Sequence, residues 1–233
     1  GIKQKFNEDS KLVDRIDWND SNGYVLYAML KKEFNFLEPF STAMGSMKFN
    51  NSESRVKCFG VDSSNNPIAS KNVEVLFYNS EDDFAIKLKT KEREEVVLYK
   101  TTGENKSFEE NYEEVKKKQS SYSGKTTFEE DDMLRIPFIK VNAEINYDEL
   151  CGREIKNSKY YIKQALQTID FELNNVGGSV KSEAVIDSTQ KVWTEKPRKM
   201  IFDSDFILYL KEENKEQPYF ALKVDNTDVL LPE

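Results

Sequence analysis

Strand signals dominate the chain, and through its middle the apolar runs are separated only by short charged segments. Residues 72–78 (NVEVLFY), 84–88 (FAIKL) and 95–99 (EVVLY) alternate or cluster β-branched and aromatic side chains, and only a few charged residues separate them. Parallel strands need a crossover of a dozen or more residues, so connections this short predict an antiparallel meander. Strand candidates continue at 24–36, 46–49, 55–61, 133–145, 160–173, 201–210 and 219–224. Asn50-Asn51-Ser52 marks a turn between the second and third of these, and 211–217 reads as a polar hairpin loop. Pro137 cannot donate to a ladder, which favours an edge or a bulge at that point.

One stretch has a different period. Residues 107–119 (SFEENYEEVKKKQ) open with Ser107, carry Glu110 three positions on, and run from acidic to basic. That is a capping box followed by charges that suit the helix dipole. Lys116, Lys117 and Lys118 then form a solvated helix face. Residues 147–150 can form a further helical turn. These readings give an α+β chain, strand-rich, with mixed and antiparallel sheets and one or two helices. No internal repeat or low-complexity tract interrupts it.

Several chemistries are disfavoured at once. The 233 residues include no histidine, which removes the commonest general base and most zinc sites. No metal site and no cofactor are expected, and no catalytic residue can be assigned. The net charge of −8 argues against nucleic acid as a partner. No apolar run reaches membrane-spanning length, so no membrane insertion is expected. The acidic groups at 81–83 and 129–132 flank loops without calcium-loop spacing, and read as solvated loop charge. Cys58 and Cys151 can pair or remain buried thiols. Asn19-Asp20-Ser21 fits a glycosylation acceptor. The chain starts Gly1-Ile2-Lys3, from which a processed start and a removed leader or preceding segment are expected.

The most unusual stretch is 167–190, QTIDFELNNVGGSVKSEAVIDSTQ. An alternating run ends in two glycines, and a polar, small-residue segment follows without turn chemistry to bring it home. A structureless connection of this length is uncommon and often functional.

Three pieces here resemble serpins. Residues 165–177 (ALQTIDFELNNVG) look like the strand that leads to the serpin reactive loop. Residues 202–210 (FDSDFILYL) resemble the strand after it, and 218–226 (PYFALKVDN) the closing strand. Weaker likenesses lie at 135–145, at 49–61 and 73–99, and at 24–40, where Pro39-Phe40 matches the end of a W-x-x-P-F element. The likeness runs collinearly through the chain, as a single serpin-like domain over 1–233 that corresponds to the second half of the fold.

The resemblance implies a serine-protease inhibitor and not an enzyme, with an exposed loop over 177–200. It implies a trypsin-like target and a secreted or extracytoplasmic setting. In serpins a cleaved loop inserts into the central sheet from a glycine hinge. Gly177 is the expected hinge, followed by Gly178, Ser179, Val180, Ser182 and Ala184. With that hinge Gly178, Val180, Ser182, Ala184 and Ile186 point inward, small or apolar, while Ser179, Lys181, Glu183, Val185 and Asp187 point to solvent. Asn175 stands where inhibitory serpins favour an acidic residue. Lys191-Val192 is the first candidate for the scissile bond, with Trp193, Lys196 and Arg198 as further options. The alternative function is a non-inhibitory serpin-like binding protein or a surface scaffold. A half-domain also exposes sheet edges, so self-association through them is expected.

Overall fold

The computed structural model describes residues 23–63, 66–103, 106–156, 158, 160–177 and 197–233. Its strands, in chain order, are β1 (Gly23–Lys31), β2 (Ser46–Lys48), β3 (Arg55–Val61), β4 (Val73–Ser80), β5 (Asp83–Lys89) and β6 (Glu94–Lys100). After helix α1 (Phe108–Ser121) come β7 (Met133–Pro137), β8 (Ile139–Asn146), β9 (Tyr161–Leu173), β10 (Lys199–Ile201), β11 (Phe206–Glu212) and β12 (Phe220–Val224). The strand-rich α+β expectation holds. Two compact units divide the described chain, one from 23–31 with 142–170, the other from 32–141 with 171–233.

The larger unit contains the expected meander. β4, β5 and β6 pair antiparallel in sequence order, and β11 and β12 extend the sheet to five strands in the order β12-β11-β6-β5-β4. The centre of β6 is apolar because both its faces are covered: Val96, Val97, Leu98 and Tyr99 are all at most 2% exposed. On one face α1 lays Tyr112 and Val115 against Phe77, Ala85, Val97, Tyr99 and Tyr209. Each such large side chain contributes roughly 1.5–3 kcal/mol by leaving water. The capping box of α1 forms as read: Ser107 Oγ accepts from Glu110 N at 3.1 Å, and Glu110 Oε2 accepts from Ser107 N at 2.8 Å.

A second sheet of this unit has the order β10-β7-β3-β2. β10 runs parallel to β7, and β3 is antiparallel to both β7 and β2. Gly60 sits where a Cβ would lie 1.8 Å from the Leu134 carbonyl oxygen, so no other residue lets these strands approach. Beside it Phe34, Phe36, Phe40, Phe59 and Phe171 form a ring cluster, with the Phe36 and Phe40 centroids 4.9 Å apart at 80°.

The smaller unit holds a three-stranded sheet, β1-β9-β8. β1 and β9 are parallel and pair from Gly23↔Tyr161 to Lys31↔Asp170, with a register shift at Tyr24/Val25. Between β8 and β9 a 3₁₀ turn, Asp148–Leu150, occupies the expected helical turn.

Several expected elements are shorter than read. β1 stops at Lys31 because Lys32 turns aside to Glu94 and lies 5.4 Å over the Tyr219 ring, while Tyr219 donates to Glu94 at 2.9 Å. The run 133–145 breaks at Phe138, whose amide bonds Lys57 O at 3.0 Å. Pro137 ends β7 in an interior strand rather than at an edge. The run 201–210 breaks into β10 and β11, because Lys100 Nζ holds Ile201 O at 3.0 Å and Asp203 Oδ1 at 2.6 Å. Cys58 is buried and Cys151 exposed, and both are free.

Candidate functional site

β9 does not run straight out at its end. Asn174 accepts on Oδ1 from the amides of Val176 at 2.9 Å and Gly177 at 3.1 Å, and its own amide bonds Gly177 O at 2.8 Å. This side-chain turn folds the chain back on itself. The folded segment then docks on 34–40. Phe36 N donates to Val176 O and Phe40 N to Asn175 O, each at 2.8 Å. Asn35 bridges Gly177, and Asn35 is itself fixed by Glu92, which accepts from its amide at 2.8 Å and its Nδ2 at 3.0 Å. Burial opposes ionisation of Glu92, but these two bonds hold its carboxyl below the usual range.

Gly177 has φ +133°, and a Cβ there would lie 2.2 Å from Phe34 O and 2.8 Å from Asn35 Cα. Only glycine fits this turn. Asn175 engages Phe40 through both its carbonyl and its side chain, the latter at 3.4 Å.

Gly178, Ser179, Val180, Ser182 and Ala184 lie outside the described residues, as do Lys191, Val192, Trp193 and Lys196. Arg198 is described, and it is firmly held. Its backbone N donates to Asp132 Oδ1 at 3.1 Å, its Nε to both carboxylate oxygens at 3.1 and 3.2 Å, and its Nη2 to Oδ2 at 2.5 Å. Nη1 bonds Lys125 O and Nη2 bonds Thr127 O, each at 2.6 Å. Burial works against the guanidinium charge, but Asp132 more than offsets it and the Arg198 pKa is raised.

Asp132 was expected to be solvated loop charge. It is 2% exposed and also accepts from Glu129 N at 2.8 Å, so that expectation is corrected. The remaining acidic groups are partly tied down too: Asp83 accepts from Lys118 at 2.8 Å, and Asp82 lies 3.4 Å from Lys100. No local signal marks Asp132 in the sequence, since its partner is 66 residues away.

In the smaller unit, β1 and β9 lie side by side as direct neighbours. Ala165 and Leu166 of β9 are buried, whereas Tyr24, Leu26 and Met29 of β1 are 42–49% exposed. β1 ends its sheet among the described residues. Among the described residues, no cluster of metal-ligating side chains occurs, and no helix is long and apolar enough to cross a membrane.

No family model and no curated protein matches the sequence. Solved structures do match the fold. A highly specific serpin of the insect Tenebrio molitor is 16% identical with a TM-score of 0.53, covering 86% of this chain and 55% of its own. Mouse protein-Z dependent protease inhibitor is 12% identical with a TM-score of 0.53, covering 85% and 54%. Thyroxine-binding globulin, in complex with thyroxine, is 12% identical with a TM-score of 0.60, covering 96% and 64%. This chain thus spans less than two thirds of the serpins that it matches, and its fold is that of a serpin fragment.

Proposed function

We propose that residues 1–233 form one serpin-like domain that inhibits a serine protease through a mobile loop, beyond Gly177, and that it acts in a secreted or extracytoplasmic setting. It is a suicide substrate in this reading and not an enzyme. The observation that carries it is the parallel pairing of β1 with β9. A strand that follows β9 through a tight turn runs antiparallel to β9, and so antiparallel to β1 as well. Inserting it exchanges one parallel ladder for two antiparallel ones, which are slightly more stable per residue. The inward set Gly178, Val180, Ser182 and Ala184 is small enough for such a position. Among the described residues β1 ends its sheet, and such an edge supports self-association.

A trypsin-like target follows from the basic residues. Lys196 precedes Pro197, whose ring fixes φ and removes the amide proton, and Arg198 is engaged by Asp132. Lys191-Val192 is therefore the preferred scissile bond.

The test is a thermal melt before and after limited trypsin treatment, with the cut mapped by mass spectrometry. A cut between Thr189 and Arg198 should raise Tm by roughly 10 °C or more, as expected for a gain of several kcal/mol in a chain of this size. Val180→Arg should keep the cut and lose the gain. A cut without any gain in the unmodified chain would end the insertion reading.

That outcome would favour a second reading, a non-inhibitory binding protein. It has its own support in a cleft of about 330 Å³ at the start of α1, whose lining includes Phe108, Asn111, Phe206, Ile207, Lys106 and Lys223. The thyroxine-binding globulin match is consistent with that alternative.

A further inference from the structure

The arginine just before β10 is already occupied. We propose that the Asp132–Arg198 pair determines where the segment after Gly177 is cut, by withdrawing Arg198 from any protease that selects basic side chains and leaving cleavage to the lysines upstream, Lys191 first. Its consequence for inhibition rests on the inhibitor reading above, whereas the shielding itself does not.

A trypsin-like protease must take the whole basic side chain into its own pocket and hold the flanking backbone extended. Arg198 can offer neither without breaking its bonds. Its Nε, Nη1 and Nη2 are all engaged, and its side chain is 14% exposed. Its amide donates to Asp132, and its carbonyl accepts from Met133 N at 3.0 Å. The next residues are held as well. Lys199 N donates to Tyr78 Oη at 3.3 Å, Lys199 Nζ lies 3.5 Å from Glu81, and Met200 is fully buried where β10 pairs with β7. Cutting after Arg198 therefore requires β10 to open from β7 while a buried carboxylate loses its cation.

The position of the cut has a functional consequence. Cleavage at residue 198 instead of 191 would leave the freed arm seven residues longer, the difference between those two positions. An acylated protease on a longer arm is less strained against the body of the inhibitor. The clamp then sets inhibition against simple turnover, and Asp132 acts as a positioning residue although it never meets the protease.

Two variants test this. Arg198→Lys retains a cation that trypsin accepts but loses the planar fork that grips both carboxylate oxygens. Asp132→Asn removes the charge and retains the shape. Limited trypsin digestion of the whole chain, mapped by mass spectrometry against time, should show cleavage after Lys191 far ahead of a slow cleavage after Arg198. In each variant cleavage after residue 198 should rise by about a hundred-fold, because proteolysis follows the open population once a buried pair is broken. Cleavage after Lys191 should stay unchanged, and hydrogen exchange of the β11 and β12 amides should keep its protection. If Asp132→Asn loses that protection, Arg198→Lys decides.

Cleavage of the unmodified chain after Arg198 as fast as after Lys191 would overturn the proposal. So would natively protected variants that are cut at 198 no faster than the unmodified chain. Should the cut pattern follow the proposal while no cut raises Tm, the clamp stands and the inhibitor reading falls.

Discussion

The five-stranded and three-stranded sheets use similar residues to different ends. In the first, β6 is buried on both faces, and Phe84, Ile86, Leu98, Phe206, Leu208 and Leu210 are at most 1% exposed. Every strand pair there is antiparallel. In the second, β1 is joined to β9 by a parallel ladder, and three of its large apolar side chains are more than 40% exposed. One sheet has used up its capacity for further burial and the other has not. Conformational change is drawn from regions of low local stability, so the proposed insertion would fall on β1 and β9 and not on β4, β5, β6 and β11.

The contrast is broken most directly by truncation. Leu98→Ala empties a fully buried position between β5 and β11, and should cost about 2–5 kcal/mol. Leu26→Ala, at 45% exposure, should cost under about 1 kcal/mol. Urea denaturation of both variants measures the two values. Equal losses would mean that the three-stranded sheet is packed as tightly as the other, and its proposed role as a slot would go with that.

Gly177→Ala has the next largest expected effect. The backbone at φ +133° and the contact with Phe34 O make an alanine strained there, and the intact chain should lose roughly 1–3 kcal/mol. An inserted strand would carry residue 177 in extended form, where alanine is tolerated. The loop-cleaved chain should therefore lose much less than the intact one. Equal losses in both forms would show that the turn at 174–177 persists after cleavage.

What the sequence reveals follows the range of the interactions. The meander of β4, β5 and β6 is legible because period, turn and pairing all lie within about 30 residues, and β3 falls at 55–61 as read. The capping box of α1 is legible because both its bonds span three residues. The end of β1 is not, since Lys32 is diverted by Glu94 and Tyr219, far along the chain. Nor is the break between β10 and β11, which Lys100 imposes from 101 residues away. The glycine at 177 announces a special backbone, but its reason, the approach of Phe34 O, is a tertiary fact. Asp132 is the sharpest case. In a run of four acidic residues it has no distinguishing local feature, and only the fold selects it to meet Arg198.

The smallest expected effect tests how α1 is held to the stronger sheet. Glu114 lies 2.8 Å from Lys118 and 2.5 Å from Lys106, and Tyr99 donates to it at 3.2 Å. The hydrogen bonds from Lys106 and Lys118 lower its carboxyl to about 2, against an ordinary 4.5. A carboxyl depressed by folding contributes stability that is complete above its ordinary pKa and is lost as pH falls toward the folded value. The docking of α1 should therefore weaken between about pH 4.5 and 2. Other carboxylates titrate over that range, so the decisive quantity is the difference from Glu114→Gln, which has no such proton to take up. Hydrogen-exchange protection of the α1 amides should be lower in Glu114→Gln at pH 6, and the two proteins should converge toward pH 2. The gap should stay modest, since the site remains partly solvated. A constant gap across that window would mean that Glu114 holds α1 by shape and packing, and that its charge contributes nothing to anchoring the helix on the saturated sheet.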